Sequence, residues 1–406
     1  MKKYPVVLCL VALLICAQAV LGAEATAPQM TQEEMRAKCA EIDAKCAEAA
    51  KLIENLQALR ASLTQQMGEG APPPEVAKSS WAERVAIGGY FQGRFEHLQV
   101  SDGPPTNNPD QFGLRRMYVT VLAKPNPRTQ GVITWSRDGG TSNAVTGWAQ
   151  AYVDYSLGRS DKVRMGQAAT WFGLETWQSS SARLPFERSA FVEGTGRGKP
   201  WGMFYYGPYD RGVWWIHTPQ GDPWMPQVVV GAVNGAARID RKFDDQITAS
   251  VDLKWKPSWG MAGISWLDGE TSIDYKGDAL TDPFPPIAGR NALDAYIRYE
   301  QPQCFAVQAE GMTGTVLGHD VRGWCAQLEK PFRSTPGTAF VRYDQYDSGQ
   351  MTSKAPFTEV GLYEAWTLGY AHQLDPNNRI TLEMVTGAKW GSKDLNSSGV
   401  QWQMGF

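Results

Sequence analysis

The chain has 406 residues, 43% hydrophobic and 20% charged, with 42 acidic side chains against 39 basic ones. That composition excludes a disordered or collagen-like chain, and the acidic balance argues against a nucleic-acid partner. Beyond the first 22 residues no apolar run reaches the roughly eighteen residues a membrane helix needs, whereas a transmembrane β-barrel leaves almost no hydropathy signal. The 16 Trp and 15 Tyr suit aromatic girdles at two membrane interfaces.

In chain order, Lys2 and Lys3, an apolar stretch over 6–20 and small residues over 22–25 read as a secretory signal spanning 1–22. Cys9 and Cys16 leave with it, and Ile15 before Cys16 argues against lipid attachment there. Residues 23–67 hold a predicted helix with a heptad seam. Met35, Ile42, Ala49, Leu56 and Leu63 alternate with Cys39, Cys46, Ile53, Arg60 and Met67, and only Arg60 departs from apolar or cysteine. At 1.5 Å per residue the seam would form a rod of about 50 Å. The Gly/Pro-rich linker over 68–80 separates this helix from the remainder of the chain, so the seam needs other copies of the chain, unless it folds back as an amphipathic helix on its own domain. Cys39 and Cys46 lie two turns apart, too far to bridge within one helix.

From Trp81 to Phe406 the polarity period changes to two. Ile247, Ala249, Val251, Leu253 and Trp255 share one face, opposite Thr248, Ser250, Asp252, Lys254 and Lys256. Leu293, Ala295, Ile297 and Tyr299 likewise oppose Asp294, Tyr296, Arg298 and Glu300. Connections alternate between seven short and eight long, which predicts sixteen antiparallel strands with both sheet ends on the short-turn side. That asymmetry belongs to an all-β transmembrane barrel. The last strand carries Val400, Trp402, Met404 and Phe406 on one face, similar to the signal that outer-membrane assembly machinery recognises. The longest connection, over 168–208, holds Trp171-Phe-Gly-Leu-Glu175 and Arg183, Arg188, Arg197 and Lys199. Its aromatics and charges predict a loop folded into the lumen.

Several stretches resemble the phosphate-selective porin O and P family: Gly89-Tyr-Phe-Gln-Gly-Arg-Phe-Glu96, Phe112-Gly-Leu-Arg-Arg116, Val163-Arg-Met-Gly-Gln167, Phe172-Gly-Leu-Glu175, Phe186-Glu-Arg188, Asp210-Arg-Gly212 and Val341-Arg-Tyr-Asp344. They run in order through 85–406. The resemblance implies a trimeric sixteen-stranded porin of a Gram-negative outer membrane, in contact with lipid and lipopolysaccharide. A third external loop would narrow the channel, and the coiled coil would hang in the periplasm. Passive diffusion of small hydrophilic solutes or ions is the expected function. The alternative is a structural protein whose coiled coil tethers the envelope to peptidoglycan.

Strand parity points Arg94, Arg116, Lys162, Arg164, Lys254, Lys256, Arg298, Arg342 and Arg379 inward. The same parity turns Glu96, Asp154, Asp252, Asp294, Glu300, Glu310, Glu329, Asp344 and Glu383 inward. The two sets match in number, so no phosphate filter is read from them, and wall-to-wall pairing competes with solute contact at each. Arg94, Arg116, Arg164, Arg183, Arg188, Lys254, Arg298, Arg342, Glu175 and Glu187 are the candidate pore residues. Cys304 and Cys325 share inward parity on adjacent strands and invite a cross-strand disulfide. No catalytic site or cofactor is expected: the four histidines are isolated, Gly194–Pro200 lacks phosphate-loop spacing, and no Gly-x-Ser-x-Gly elbow is present. The acidic run Asp344–Gly349 is a calcium-loop candidate, with a plain acidic loop as the alternative.

Overall fold

The computed structural model describes residues 84–100, 110–138, 145–193, 209–235, 247–272, 287–316, 319–347, 362–390 and 393–406. The signal segment, the linker, Arg197, Lys199 and the coiled-coil seam (Met35, Cys39, Ile42, Cys46, Ile53, Leu56, Leu63) lie outside them.

Five strands precede the long connection: β1 (Val85–Val100), β2 (Asp110–Asn126), β3 (Thr129–Asp138), β4 (Val145–Ser156) and β5 (Asp161–Ala169). Six come after it: β6 (Tyr209–His217), β7 (Gln227–Val233), β8 (Thr248–Trp255), β9 (Gly260–Ser272), β10 (Ile287–Gln301) and β11 (Phe305–Val316). The last five are β12 (His319–Pro331), β13 (Gly337–Asp347), β14 (Leu362–Asp375), β15 (Asn378–Trp390) and β16 (Lys393–Gly405). Each pairs antiparallel with its sequence neighbours, and β16 pairs with β1, so the sheet closes into a sixteen-stranded barrel. At the seam the Gly89 N–H donates to the Phe406 carbonyl (3.0 Å) and the Phe406 N–H returns to Gly89 (3.1 Å). The seven connections read as short stand together at the end that holds both sheet termini, but two of the eight read as long, now over 317–318 and 391–392, span only two residues because the flanking strands run further than expected.

Alternation sorts the side chains. On β8, Thr248, Ser250, Asp252 and Lys254 are buried toward the interior. Outward stand Ile133, Val153, Met165, Val230, Ile264, Leu293, Leu382, Val400 and Trp402, all large and exposed. A continuous apolar belt of this extent is not stable against water; it is the surface of a membrane barrel. Rings meet along it in tilted pairs, as in Trp324–Tyr343 (centroids 5.1 Å) and Tyr343–Trp366 (4.9 Å).

Three expectations need correction. Cys304 and Cys325 are both free. Cys304 sits in the turn before β11, while Cys325 lies opposite Glu310, several residues up the ladder. At about 3.4 Å per residue that separation exceeds disulfide reach. The calcium-loop candidate is also displaced. Asp344 and Asp347 belong to β13 and point to opposite faces, so they cannot converge on an ion. Asp344 pairs with Arg342 (3.2 Å) and Asp347 with Arg322 (3.2 Å). Lys256, assigned inward by parity, lies beyond the end of β8 in an exposed turn.

Leu382 and Val400 are partners on β15 and β16, and both face outward. Leu382→Arg should cost about 2–4 kcal/mol in reversible urea unfolding from lipid vesicles, as lipid-facing Arg does near the midplane. Inward Thr381→Ser should change it by less than about 1 kcal/mol.

Candidate functional site

The long connection between β5 and β6 carries two short helices, α1 (Leu174–Trp177) and α2 (Ala190–Glu193), and it packs on the inner wall. One side is held by apolar contact. Phe172, Phe191 and Val192 are buried against inward residues of β9 to β14, among them Leu267, Met312, Val321, Tyr346 and Tyr363. Gly323 on β12 makes room, since a Cβ there would collide with Phe191. Truncating a fully buried Phe such as Phe191 costs on the order of 3–5 kcal/mol, enough to anchor the segment.

Backbone donors of the connection also meet carboxylates of the wall. The Leu174 N–H donates to Glu310 Oε1 (2.9 Å) and the Glu175 N–H to Glu310 Oε2 (3.1 Å). Ala190 N–H reaches Asp344 Oδ2 (3.1 Å), and Phe186 N–H reaches Glu383 Oε2 (2.7 Å). Gly173 explains its place in the Phe-Gly-Leu-Glu stretch. Its φ of 66° is left-handed, and a side chain there would strike Glu310 and Asp294.

The opposite side of the connection is ionic. Glu187 stands among three guanidinium groups. Its Oε1 accepts from Arg94 Nη1 (2.8 Å) and Arg115 Nε (2.7 Å), and its Oε2 from Arg115 Nη2 (2.7 Å) and Arg116 Nη2 (2.8 Å). Arg94 also stacks over Phe186 (4.4 Å). Two consecutive arginines converge because the β1–β2 register slips between Gln92 and Gly93, leaving Arg115 unmatched in the ladder. A bulge of this kind lets neighbouring residues reach the same side. Parity alone turned only Arg116 inward and missed Arg115; the adjacent Arg-Arg pair was the available signal. Arg290 was missed for another reason. β10 begins before it, so a residue read as the end of a loop is a buried wall residue, 4.0 Å from Asp210.

Burial by itself would raise the Glu187 pKa, but the charges of Arg115, Arg116 and Arg94 outweigh it and hold the carboxyl well below its usual 4.5. Its side chain keeps 37% of its surface open, so the group is confined by the arginines rather than sealed from solvent.

Other candidates are distributed as follows. Arg342 bridges Glu175 Oε1 (3.2 Å) and Asp344. Lys254 lies beneath Trp171 (4.7 Å) and Trp177 (3.6 Å), so it braces the loop through its charge on their rings. Arg298 is bound to Glu329 near the short-turn end. Arg164 stands apart from the connection, bidentate on Asp154 (2.7 and 2.9 Å) and over the Tyr152 ring. Arg188 is turned onto the loop's own backbone, donating to the Glu175 carbonyl (2.6 Å) and the Gln178 carbonyl (3.3 Å). Arg183 donates to Ser180 Oγ (2.9 Å). Among the described residues no group of three or more His, Cys, Asp or Glu could hold a metal ion.

A family model described as "Phosphate-selective porin O and P" matches residues 132–233. Among solved structures, the chain is similar to the outer membrane channel DcaP of Acinetobacter baumannii, with 11% identity over 79% of this chain and 97% of that one, at a TM-score of 0.54. An anion-selective porin from Comamonas acidovorans matches at 12% identity over 79% and 99%, with a TM-score of 0.52. The trimer form of OmpT from Vibrio cholerae matches at 10% identity over 80% and 100%, with a TM-score of 0.51. Its fold is that of an outer-membrane porin. No curated protein matches the chain in sequence.

A depressed carboxyl stabilises the folded state above its unfolded pKa, and that contribution is lost as pH falls through the folded value. Glu187 should therefore stay ionised, and its bonds to Arg94, Arg115 and Arg116 persist, from pH 7 to below pH 4.5. Glu187→Gln removes one negative charge from among three clustered arginines. The reversal potential in a KCl gradient should move toward chloride in that variant, at pH 7 as at pH 5; an unmoved potential would place the cluster off the ion path.

Proposed function

We propose that the protein is a passive outer-membrane porin for small hydrophilic solutes and ions, and not an enzyme, with the connection over 168–208 as its constriction. One observation carries this reading. A loop from the long-loop end is fastened to opposite inner walls of a closed barrel, by apolar packing on β9 to β14 and by Glu187 on β1 and β2. Where it lies, the free cross-section is what loop and wall leave over. Selectivity is governed by local charge rather than by total count, because fields at a narrow passage act over a few ångströms.

The reading extends to a homotrimer, as in the trimer form of OmpT, whose barrel this one resembles. It includes export by the segment over 1–22, insertion recognised through Phe406, and contact of the outer belt with lipid and lipopolysaccharide. The heptad seam favours a second role, in which a periplasmic coiled coil through Met35, Cys39, Ile42, Cys46, Ile53, Leu56 and Leu63 reaches toward peptidoglycan.

Purified protein in planar bilayers should conduct in steps of three, and replacing 171–199 with a short Gly/Ser turn should raise the unit conductance. Absence of current at any voltage would leave only the tether. Unchanged conductance after the deletion would remove the loop from the channel.

A further inference from the structure

The outward face of β12 to β14 carries an open groove at the short-turn end. Its floor is Ala339 and Val341 of β13. Across the ladders Val341 stands between Leu328 and Leu368, both exposed, and Ala339 between Lys330 and Tyr370. Ala339 is smaller than either neighbour, and side chains stand upright on a sheet, so the surface dips there. Nearer the turn, Gly337 leaves room for the Tyr370 hydroxyl, which a Cβ at that position would strike. The Phe332 ring lies against Tyr370 (centroids 6.0 Å). The Gln373 N–H donates to the Pro336 carbonyl (2.8 Å), which ties the end of β14 to the β12–β13 turn.

Two cations stand where the groove meets the turn. Glu329 faces the lumen and binds Arg298, so its neighbour Lys330 faces outward, and Lys330 is exposed. Arg333 is exposed in the turn that follows β12. Among the described residues neither forms an ion pair. The carboxylate of the adjoining β14–β15 turn is already engaged. Asp375 Oδ1 accepts from the Asn377 N–H (2.8 Å) and the Asn378 N–H (2.9 Å). At the other end of β12 the outward cation is matched, since Arg322 has Asp347 at 3.2 Å.

We propose that this face holds an anionic phospholipid, with one acyl chain in the groove and the phosphodiester between Lys330 and Arg333. Two unmatched cations complement the phosphate, and the apolar floor continues the lipid belt. Tyr370, whose hydroxyl reaches His372 Nδ1 (3.3 Å), marks the depth at which a ring has one dry and one wet end. A zwitterionic lipid carries its own cation and gains less from the pair. The assignment rests on the outer-membrane reading, which sets the short-turn end in a phospholipid leaflet.

The probes are phosphatidylglycerol and phosphatidylcholine of equal chain length, titrated into the protein in neutral detergent and counted by native mass spectrometry. Phosphatidylglycerol should stay bound and phosphatidylcholine should be shed. Lys330→Gln and Arg333→Gln should each weaken retention about fivefold, and together about 25-fold, the worth of basic side chains at an anionic lipid surface. Ala339→Trp keeps both cations but fills the groove, and should release the lipid. Lys124→Gln with Arg128→Gln removes an exposed basic pair from the β2–β3 turn at the same end, and should leave retention unchanged. Equal retention of the two lipids would overturn the proposal, and so would an equal loss in the Lys124 and Arg128 variant. Glycerol phosphate that competes as tightly as the whole lipid would also overturn it, in favour of a free anion. A trimer that the Lys330 and Arg333 variant splits into monomers would assign the face to a second copy instead. Retention is read without current. A conducting protein that keeps no phosphatidylglycerol therefore refutes the lipid site alone, and a silent bilayer refutes the channel alone.

Discussion

Every backbone N–H and C=O that faces hydrocarbon must find its partner within the protein, and a sheet meets that demand only by closing on itself. Pairing of β16 with β1 supplies the last ladder. Closure also fixes parity around the whole ring, because a one-residue slip on any strand would turn its greasy face into the lumen. The lipid belt and the charged interior are thus two outcomes of one constraint.

Within that ring the connection after β5 is held by two different kinds of force on its two sides. Phe172 and Phe191 enter an apolar patch on β9 to β14, so this part of the interior is dry. Glu187 meets three arginines on β1 and β2, where its carboxyl still reaches solvent. Apolar packing is not screened by salt and does not titrate, whereas the ionic side responds to both salt and pH. A loop fastened in this way has its position set by packing and its field set by a few charges.

Most interior charges are neutralised close to where they stand. Asp154 takes Arg164 and Lys162, Glu329 takes Arg298, and Glu175 with Asp344 takes Arg342. Pairs of this kind stiffen the wall and leave little net field. The Glu187 cluster is built differently, since one carboxylate accepts from three guanidinium groups, and one of these, Arg94, also stands 3.7 Å from Glu96. A near-balanced inventory of inward charges is therefore compatible with arginines gathered at one point of the docked loop.

Sixteen strands, seven short turns at one end, the outward belt and the inward parity of Arg94, Arg116, Asp252, Asp294 and Glu310 were all legible in the chain. Alternation of period two and loop length are local properties, readable without knowing which strands meet. What lay beyond reach depended on register and on contacts across the lumen. Arg115 joins Arg116 only because the β1–β2 ladder slips by one residue, and Cys304 misses Cys325 because the β11–β12 register sets them far apart. Arg188 looked like a pore charge by position but bonds its own loop, and the acidic run from Asp344 looked like a loop but lies in a strand. Which side of the sheet each residue faces could be read from the residues in order, since it follows from the backbone repeat. Which of the inward charges meet could be read only from the folded barrel, because a closed ring brings together residues hundreds of positions apart, and the docked loop selects among them.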